Sequence, residues 1–235
     1  MYKISIIIPC FNEVKTIIKI IDKVKNFTKY KKEIIIVDDG SNDGSQDLLK
    51  NLNDQTIKII FHKKNLGKGM AIKSALELVT GDLILIQDAD LEYDPVNYDN
   101  LLKPFYEADA DVVYGSRFLG GGNYVRIHFF WHYIANKILT FFCNVITNLN
   151  MTDMETGYKV FRSSALKSIS IYESSFAVEP EITIKLARKK FKFFEVPISY
   201  NGRSYEDGKK IRLKDAFIAI FCLIKHGFFY KIIKK

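Results

Sequence analysis

The chain has 235 residues, of which 48% are hydrophobic, and this is enough to bury the core of one large α/β domain. Its formal net charge of +8 favours an anionic partner, but the lysines and arginines form no block long enough to indicate nucleic acid, so no nucleic-acid partner is expected. Three scattered cysteines without metal-ligand spacing argue against a disulfide framework and favour a reducing compartment.

The apolar runs are short for a signal peptide or a membrane span. The run from Ile4 to Ile8 is shorter than a signal core of roughly 7–15 residues. The run from Ala216 to Ile224 is well below the roughly 20 residues that cross a bilayer. We therefore expect a cytoplasmic protein that is peripheral to the inner face of the cell membrane.

The first part of the chain alternates short apolar strands with helices. Strands are predicted over 4–8, 34–37, 57–61 and 83–86, and the helices between them over 14–24, 45–52 and 70–79. Asn12 is the predicted cap of the first helix. Four β-branched strands separated by helices predict a doubly wound α/β fold, with a mostly parallel sheet and helices on both faces.

The second part is less regular. The pattern predicts a helix over 95–106, strands over 112–114, 158–161 and 195–200, a helix that opens at 179–181, and a loop over 202–212. An apolar, aromatic stretch over 125–149 forms one bent helix or two, and it either packs on the sheet or lies in a membrane interface. An amphipathic helix over 213–233 follows the loop and has the same two interpretations.

An acidic turn follows the fourth predicted strand. Asp88 and Asp90 stand one residue apart, and Glu92 follows two residues after Asp90. Ligands bind at the carboxyl edge of open α/β sheets, and a hard divalent cation such as Mg²⁺ or Mn²⁺ would relieve the repulsion between these carboxylates. The alternative interpretation is a surface turn that happens to be rich in aspartate.

Polar residues also follow the other parallel strands, and they are expected to share this edge. Asp39 is suited to accept a hydrogen bond from a nucleobase N–H, and Lys68 to meet a phosphate. The expected crevice is lined by residues 9–13, 38–41, 67–69, 88–92 and 115–117.

Several short motifs, in this order, carry a family resemblance. They are Pro9-Cys10-Phe11-Asn12-Glu13, Val37-Asp38-Asp39-Gly40-Ser41, Asn65-Leu66-Gly67-Lys68-Gly69, Asp88-Ala89-Asp90 and Gly115-Ser116-Arg117, followed by 195–200, Arg203 and Lys209-Lys210. The chain resembles the inverting family-two glycosyltransferases, and within them the dolichyl-phosphate mannose and polyprenyl-phosphate glucose synthases. The resemblance covers nearly the whole chain. It departs at Phe11, where many relatives have Tyr, and at Glu92, where some have Gln.

The resemblance implies a nucleotide-sugar (GT-A) form of the doubly wound sheet. Its catalytic domain would span 1–212, with a nucleotide-sugar half over 1–118, an acceptor half over 119–212, and a C-terminal helix over 213–235 suited to a membrane surface. The implied nucleotide-sugar contacts are Pro9, Phe11, Asn12, Glu13, Asp38, Asp39, Lys68, Asp88 and Ala89. The implied metal ligands are Asp88, Asp90 and Glu92. The implied acceptor-phosphate contacts are Arg117, Arg126 and Arg203, and the implied catalytic residues are Asp90, Arg117 and Asp153.

The implied reaction moves a hexose from a UDP- or GDP-sugar to a polyprenyl phosphate, with Mg²⁺ or Mn²⁺ as cofactor. A lipid phosphate is already an anion and attacks without a base, whereas a glycan hydroxyl needs a carboxylate such as Asp153 or Glu155 to take its proton. Asp153 is equally suited to brace its loop. The alternatives are transfer to a glycan hydroxyl, a nucleotide-sugar-binding protein without turnover, or a nucleotidyltransferase; sugar, base and oligomeric state stay open.

Overall fold

The computed structural model describes residues 2–120, 129–203 and 213–228, the last range with side chains from residue 216 onward. In these ranges the strands are β1 Ile4–Cys10, β2 Lys32–Asp38, β3 Ile57–Phe61, β4 Leu83–Ile86, β5 Val112–Ser116, β6 Lys159–Arg162 and β7 Phe193–Pro197. The helices are α1 Ile17–Asn26, α2 Ser45–Lys50, α3 Lys68–Leu76, α4 Tyr98–Glu107, α5 Phe130–Thr147, α6 Ser163–Lys167, α7 Val178–Arg188 and α8 Leu213–Phe228, and a 3-10 turn, Pro95–Asn97, precedes α4.

The strands form one mixed sheet in the order β3-β2-β1-β4-β6-β5-β7. Strand β6 runs antiparallel to both of its neighbours, while every other pairing is parallel. The prediction of a mostly parallel, doubly wound sheet is therefore confirmed. The amino end of β6 consequently lies at the same edge as the carboxyl ends of the other strands, because Lys159 pairs with Ile86 of β4 and with Tyr114 of β5.

Each face of the sheet carries its own layer of helices. In β1, Ile6 and Ile8 face the layer that contains α1 and α4, while Ile7 faces the layer that contains α3, α5, α7 and α8. Helix α1 forms where apolar residues recur at helical spacing, since Ile17, Ile20, Ile21 and Val24 are its buried residues. The alternation of side chains along buried strands thus supplies two cores, one on each side of the sheet.

The start of α1 differs from its prediction. The helix begins at Ile17 with Thr16 as the flanking residue, so Asn12 does not cap it. Asn12 instead has a left-handed backbone, with φ 52°, and its side-chain oxygen accepts the Asn42 backbone N–H. The prediction was wrong because Asn12 ties two loops of the carboxyl edge together, which leaves the helix to start one turn later.

Helix α8 packs against α5 and α7. The part of the predicted 125–149 helix before residue 129, most of the predicted loop over 202–212 and the end of the predicted final helix lie outside the described residues. In the part of the chain that the structure describes, no helix is both long and apolar enough to cross a membrane.

Candidate active site

The acidic turn after β4 carries a concentrated negative charge. Asp90 is buried, and its burial together with the charges of Asp88 and Glu92 raises the pKa of Asp90 to about 8. Like charges this close cannot all ionise easily without a cation between them. The turn therefore favours the binding of a cation.

Lys68 supplies one internal positive charge at this turn. Its ammonium lies 2.8 Å from Asp88 Oδ1 and 3.1 Å from Glu179 Oε1. Burial opposes the charge, but the two carboxylates hold the pKa of Lys68 above its usual value. Glu179 stands in the first turn of α7 and also pairs with buried Lys159 of β6, so this chain of charges joins three elements.

Arg203 supplies a second internal positive charge. Its Nη1 lies 3.1 Å from both carboxylate oxygens of Glu13, its Nη2 lies 2.8 Å from Asp90 Oδ2, and its Nε lies 3.2 Å from Glu92 Oε1. Burial opposes the charge, but these carboxylates raise the pKa of the guanidinium above its usual value. Tyr200 reaches the same place, since its hydroxyl donates to Glu92 Oε2 over 2.5 Å.

The acidic turn offers donor atoms of the type that Mg²⁺ or Mn²⁺ prefers, but the ligand atoms of its three carboxylates do not all lie within 4.8 Å of one another in the described part of the chain. Asp88, Asp90 and Glu92 offer only hard carboxylate oxygens, which these ions prefer. The backbone of Gly157 passes so close that a side chain there would place its Cβ 2.2 Å from Asp88 Oδ2, which only a glycine avoids. Glycine at position 157 thus keeps the space beside this carboxylate clear of side-chain atoms from the segment that precedes β6.

Asp39 organises the glycine-rich loop. Its Oδ1 accepts the Leu66 backbone N–H at 2.9 Å and its Oδ2 accepts the Gly67 N–H at 2.7 Å. The Nδ1 of His62 lies 2.7 Å from Oδ1, and the Nε2 of the same ring lies 2.9 Å from Ser74 Oγ. Because an ionised carboxylate can only accept, the Nδ1 of His62 donates to Asp39, and its Nε2 shares a hydrogen bond with the Ser74 hydroxyl.

Asp38 faces the interior beside Asp39. One of its oxygens accepts the Ser41 N–H at 3.0 Å and the Gln46 side-chain amide at 2.8 Å. Its other oxygen, Oδ2, is buried and has no hydrogen-bond partner among the described residues. A buried carboxylate oxygen without a donor is costly, so a ligand or water donor is the expected partner.

Arg117 and Asp153 form a bidentate ion pair. Arg117 Nε donates to Asp153 Oδ2 and Nη2 to Oδ1, each over 2.7 Å, and the amide of Asn136 on α5 donates to the same Oδ1 over 3.0 Å. Burial would raise the pKa of Asp153, but Arg117 outweighs it and lowers that pKa. The Arg117 guanidinium carbon lies 5.2 Å from the centre of the Tyr200 ring, which links this pair to the acidic turn.

Glu155 differs from Asp153 in its surroundings. Burial and the charge of Glu179 raise the pKa of Glu155 to about 7, and its Oε1 is buried without a hydrogen-bond partner among the described residues. A carboxylate that titrates near neutrality is suited to general acid–base work. Glu181, in contrast, lies away from the site, where it accepts the Tyr172 and Glu173 backbone N–H groups and pairs with Lys185.

The structure brings most of the predicted site residues to one edge of the sheet. The acid turn, Lys68, Glu13 and Arg203 are joined directly, and Arg117 and Asp153 are joined to them through Tyr200. The other predicted nucleotide contacts lie at the same edge. Pro9 and Asp38 are in the last residues of β1 and β2, and the loops that follow the strands carry Phe11, Asn12, Asp39 and Ala89. Arg126 lies outside the described residues.

Three residues that pair with the charged side chains of the site were not predicted from the sequence. Lys159 was placed in a predicted strand and Glu179 at the start of a predicted helix, and neither they nor His62 were among the predicted site residues. The signal for His62 was its position directly after β3, at the edge already expected to hold ligands. Lys159 gave no such signal, since its ion-pair partner Glu179 is 20 residues away in sequence.

Comparison with known families and relatives gives a consistent result. The family model described as "Glycosyl transferase family 2" matches residues 5–170. An uncharacterized protein of Methanocaldococcus jannaschii is 29% identical over 226 residues, covering 87% of this chain and 93% of the relative. The low-salt glycan biosynthesis hexosyltransferase Agl6 of Haloferax volcanii is 27% identical, and the dolichol-phosphate mannosyltransferase of Pyrococcus furiosus is 25% identical, over 86% and 88% of this chain. The chain spans 49% and 59% of the length of these two proteins.

Solved structures show the same fold. Glucosyl-3-phosphoglycerate synthase from Mycobacterium tuberculosis, in complex with Mn²⁺, UDP and glucosyl-3-phosphoglycerate, matches with a TM-score of 0.73. It is 16% identical, and the match covers 96% of this chain and 80% of that one. The same synthase was also solved with Mg²⁺ and UDP. At this identity the likeness carries the fold alone.

Proposed function

Because this chain belongs to glycosyl transferase family 2 and is a glycosyltransferase, we propose that it transfers a hexose, with inversion, from a UDP- or GDP-sugar to a polyprenyl phosphate. The product would be a lipid-linked sugar. The dolichol-phosphate mannosyltransferase among its relatives supports an acceptor of this class. The proposed location is the inner face of the cell membrane, and the proposed catalytic domain is residues 1–212.

The donor half of the proposal depends on the acidic turn. Asp88, Asp90 and Glu92 would hold Mg²⁺ or Mn²⁺, which supplies positive charge to stabilise the departing nucleoside diphosphate. Lys68 would add a fixed ammonium beside the diphosphate, already charged by its pairing with Asp88. Asp39 would present a carboxylate to a nucleobase N–H. We expect turnover to stop in a chelator such as EDTA and to return when Mn²⁺ is added in excess.

One observation supports the lipid acceptor most directly, and it is the exposed aromatic surface of α5 and α8. Trp131 is 76% exposed and Phe141 61% exposed on α5, while Phe221 is 67% exposed and Phe228 71% exposed on the adjacent α8. Soluble proteins rarely leave this much aromatic surface uncovered without a partner. We call this face the α5–α8 surface, and its proposed partner is the membrane that holds the polyprenyl chain.

The α5–α8 surface is connected to the arginine that would meet the acceptor phosphate. The side-chain amide of Asn136 on α5 donates a hydrogen bond to Asp153, the ion-pair partner of Arg117. The ammonium of the next residue, Lys137, lies 4.6 Å from the ring centre of Phe118, which follows Arg117 in the chain. A guanidinium has five N–H donors, and Arg117 directs two of them at Asp153. The others suffice to position one phosphate for attack on the sugar carbon.

The environment of Asp153 also supports a phosphate acceptor. A general base needs a pKa near the working pH, whereas Arg117 lowers the pKa of Asp153 and occupies both of its oxygens. Asp153 thus acts as a positioning residue for Arg117. A phosphate nucleophile needs no base, because its second pKa is about 6.

The proposal is tested by incubating the protein with Mn²⁺, radiolabelled UDP-glucose or GDP-mannose, and polyprenyl phosphate in detergent or vesicles. We expect a labelled lipid that forms only when the lipid phosphate is present. Absence of such a lipid across a panel of UDP- and GDP-hexoses contradicts the acceptor assignment. Release of pyrophosphate from a nucleoside triphosphate would instead indicate a nucleotidyltransferase.

Transfer to a glycan hydroxyl is the second candidate, and Glu155 is the observation that favours it. With a pKa of about 7, Glu155 would be ionised and active as a base only as the pH rises through neutrality. A hydroxyl acceptor therefore requires Glu155→Gln to lose at least about a hundredfold in kcat. If the acceptor is a phosphate, Glu155→Gln should change kcat only slightly. The matched Asp153→Asn variant should then lose more activity, because Arg117 no longer has its ion-pair partner.

A further inference from the structure

Three side chains that the candidate active site does not use meet where α8 packs against the segment that precedes α7. They are Glu173, Cys222 and His226, and one ligand atom from each lies within 4.8 Å of the other two. Cys222 and His226 are each 1% exposed, and the Glu173 side chain is 18% exposed. A carboxylate, a thiol and an imidazole thus come together in the interior of the protein.

Helix α8 presents two of these side chains on one face. Cys222 and His226 are four residues apart, which makes them neighbours on successive turns of the helix. The Cys222 thiol donates to the Ala177 carbonyl over 3.3 Å, and the Nε2 of His226 lies 2.9 Å from Glu173 Oε1. Two ligand groups therefore come from α8, and the third comes from the segment before α7.

One ring nitrogen of His226 has no hydrogen bond that satisfies it. In the neutral ring Nε2 donates to Glu173, because an ionised carboxylate can only accept. Nδ1 then carries a bare lone pair, and it is buried without a hydrogen-bond partner in the ranges that the structure describes. A buried polar atom without a partner is costly. The lone pair of a neutral imidazole is the site through which histidine binds metal ions.

The charges around this group are balanced in pairs. Glu173 Oε1 lies 2.8 Å from the Lys225 ammonium. Glu181 Oε1 lies 3.9 Å from His226 Nε2, and this carboxylate is paired with Lys185. A dication bound by the thiolate adds only one net positive charge, because the thiol loses its proton. The Lys225 side chain is 36% exposed, so its ammonium can turn toward water when Glu173 becomes a ligand.

We propose that Glu173, Cys222 and His226 form a structural zinc site that joins α8 to the segment before α7. A thiolate sulfur and an imidazole nitrogen are ligands that Zn²⁺ prefers, whereas Mg²⁺ and Mn²⁺ prefer oxygen. As the zinc–sulfur bond forms, the thiol proton passes to solvent. Water or a carboxylate oxygen of Glu181 completes the tetrahedron. The inference is independent of the donor, the acceptor and the catalytic metal proposed above.

The site would also steady the backbone against which the glycine-rich loop packs. The Gly69 N–H donates to the Ser174 carbonyl over 2.8 Å, one residue after Glu173. Lys68, which pairs with Asp88 of the acidic turn, stands directly before this glycine. A zinc ion at Glu173 would therefore fix α8 and the start of α3 relative to one another.

The test uses Co²⁺ as a spectroscopic substitute for Zn²⁺, with the full chain at about pH 8, where imidazole is neutral. We expect Co²⁺ to produce a thiolate-to-cobalt charge-transfer band in the near ultraviolet, which a site made only of carboxylates does not give. Stoichiometric Zn²⁺ should abolish the band, whereas roughly a hundredfold excess of Mg²⁺ should leave it. Absence of the band in the unaltered protein overturns the proposal, and this outcome depends on no variant.

Matched variants identify the ligands. Cys222→Ser should lose the charge-transfer band, whereas Cys143→Ser, which removes another buried thiol, should keep it. A band that persists in Cys222→Ser would place the cobalt at another cysteine and would overturn the proposal. If Cys222→Ser fails to fold by circular dichroism, Glu173→Gln decides instead. It should bind Zn²⁺ at least about tenfold more weakly than the unaltered protein, and an unchanged affinity would remove Glu173 from the site.

A thermal melt tests the structural role. A metal that binds only the folded chain raises Tm, and the rise should be roughly 5 °C when free Zn²⁺ is about a hundredfold above its Kd. The same addition should leave the Tm of Cys222→Ser unchanged and should raise that of Cys143→Ser as it does that of the unaltered protein. A cobalt band without any rise in Tm would overturn the structural role.

Discussion

His62 shows how one side chain fixes the group expected to read the nucleobase. Its ring links Asp39 at 2.7 Å to Ser74 at 2.9 Å, and it thereby holds the carboxylate in one orientation from behind. Two backbone N–H groups of the glycine-rich loop complete this arrangement. Asp39 therefore has little freedom to rotate before a nucleotide arrives, which lowers the entropy that binding costs.

We expect His62→Phe to raise the donor KM roughly tenfold and to leave kcat within about twofold. A hydrogen bond to a charged group contributes roughly 1.5–3 kcal/mol, and its loss lets Asp39 turn away from the base. Steady-state kinetics with the nucleotide sugar measures this, and Ser74→Ala serves as the milder matched variant. An unchanged donor KM in His62→Phe would show that Asp39 does not depend on the ring.

At the scale of elements, the glycines at the start of α3 are required by a neighbouring segment of backbone, residues 173–175. A Cβ on Gly67 would lie 2.2 Å from the Ser174 carbonyl oxygen, and one on Gly69 would lie 2.0 Å from the Glu173 carbonyl oxygen. The Gly69 N–H donates to Ser174 over 2.8 Å. Glycine is thus required because two backbones pass in contact, and Glu173 in turn pairs with Lys225 and His226 of α8.

We expect Gly69→Ala to lower the free energy of unfolding by about 2 kcal/mol, within the range for forcing an extra methyl group into a packed site. Urea denaturation followed by circular dichroism measures the change. Lys73→Ala on the exposed side of α3 is the control, and it should shift stability by less than about 0.5 kcal/mol. If Gly69→Ala is as stable as that control, the close approach of the 173–175 segment is not required for folding.

The comparison of elements also shows what a sequence pattern can predict. Strands β3 and β4 were predicted to their end residues, because short β-branched runs bounded by turns have one good interpretation. The direction of β6 could not be predicted, because an antiparallel strand between parallel ones depends on pairing with distant residues. For the same reason the acidic turn was found from local pattern, while its pairing with Lys68 and Arg203 was not.

At the scale of the whole molecule, the α5–α8 surface and the net charge of +8 point to the same kind of partner. Exposed aromatic rings enter the boundary between head groups and acyl chains, and lysines attract anionic lipids. Both interactions take place at the surface of a bilayer and require no segment that crosses it. The proposed function therefore places this protein on an anionic membrane surface.

Trp131 is the only tryptophan of the chain, and it lies on this surface with 76% exposure. We expect its fluorescence to shift to shorter wavelength when vesicles containing phosphatidylglycerol are added, because the ring leaves water. Raising the salt concentration should weaken the shift, since the attraction between lysines and lipid is screened over about 10 Å at 0.1 M.

A matched pair of variants locates the contact. Phe141→Ser with Phe221→Ser should reduce sedimentation with the same vesicles at least tenfold, because each buried aromatic side chain contributes roughly 1.5–3 kcal/mol. Val96→Ser, which removes a side chain that is 68% exposed on the 3-10 turn, should bind as the unaltered protein does. Equal vesicle binding by all variants would show that the surface has another partner.

The position of β6 between β4 and β5 also determines how far the acidic turn lies from Arg117. One strand, β6, separates β4, which the acidic turn follows, from β5, which Arg117 follows. Neighbouring strands are about 4.8 Å apart, so β4 and β5 lie roughly 10 Å from each other. The residues that would bind the leaving group and those that would bind the nucleophile would then be separated by about this distance. The hydrogen-bonded sheet, rather than the motion of a loop, would then fix the space between the acidic turn and Arg117 in which one sugar is transferred.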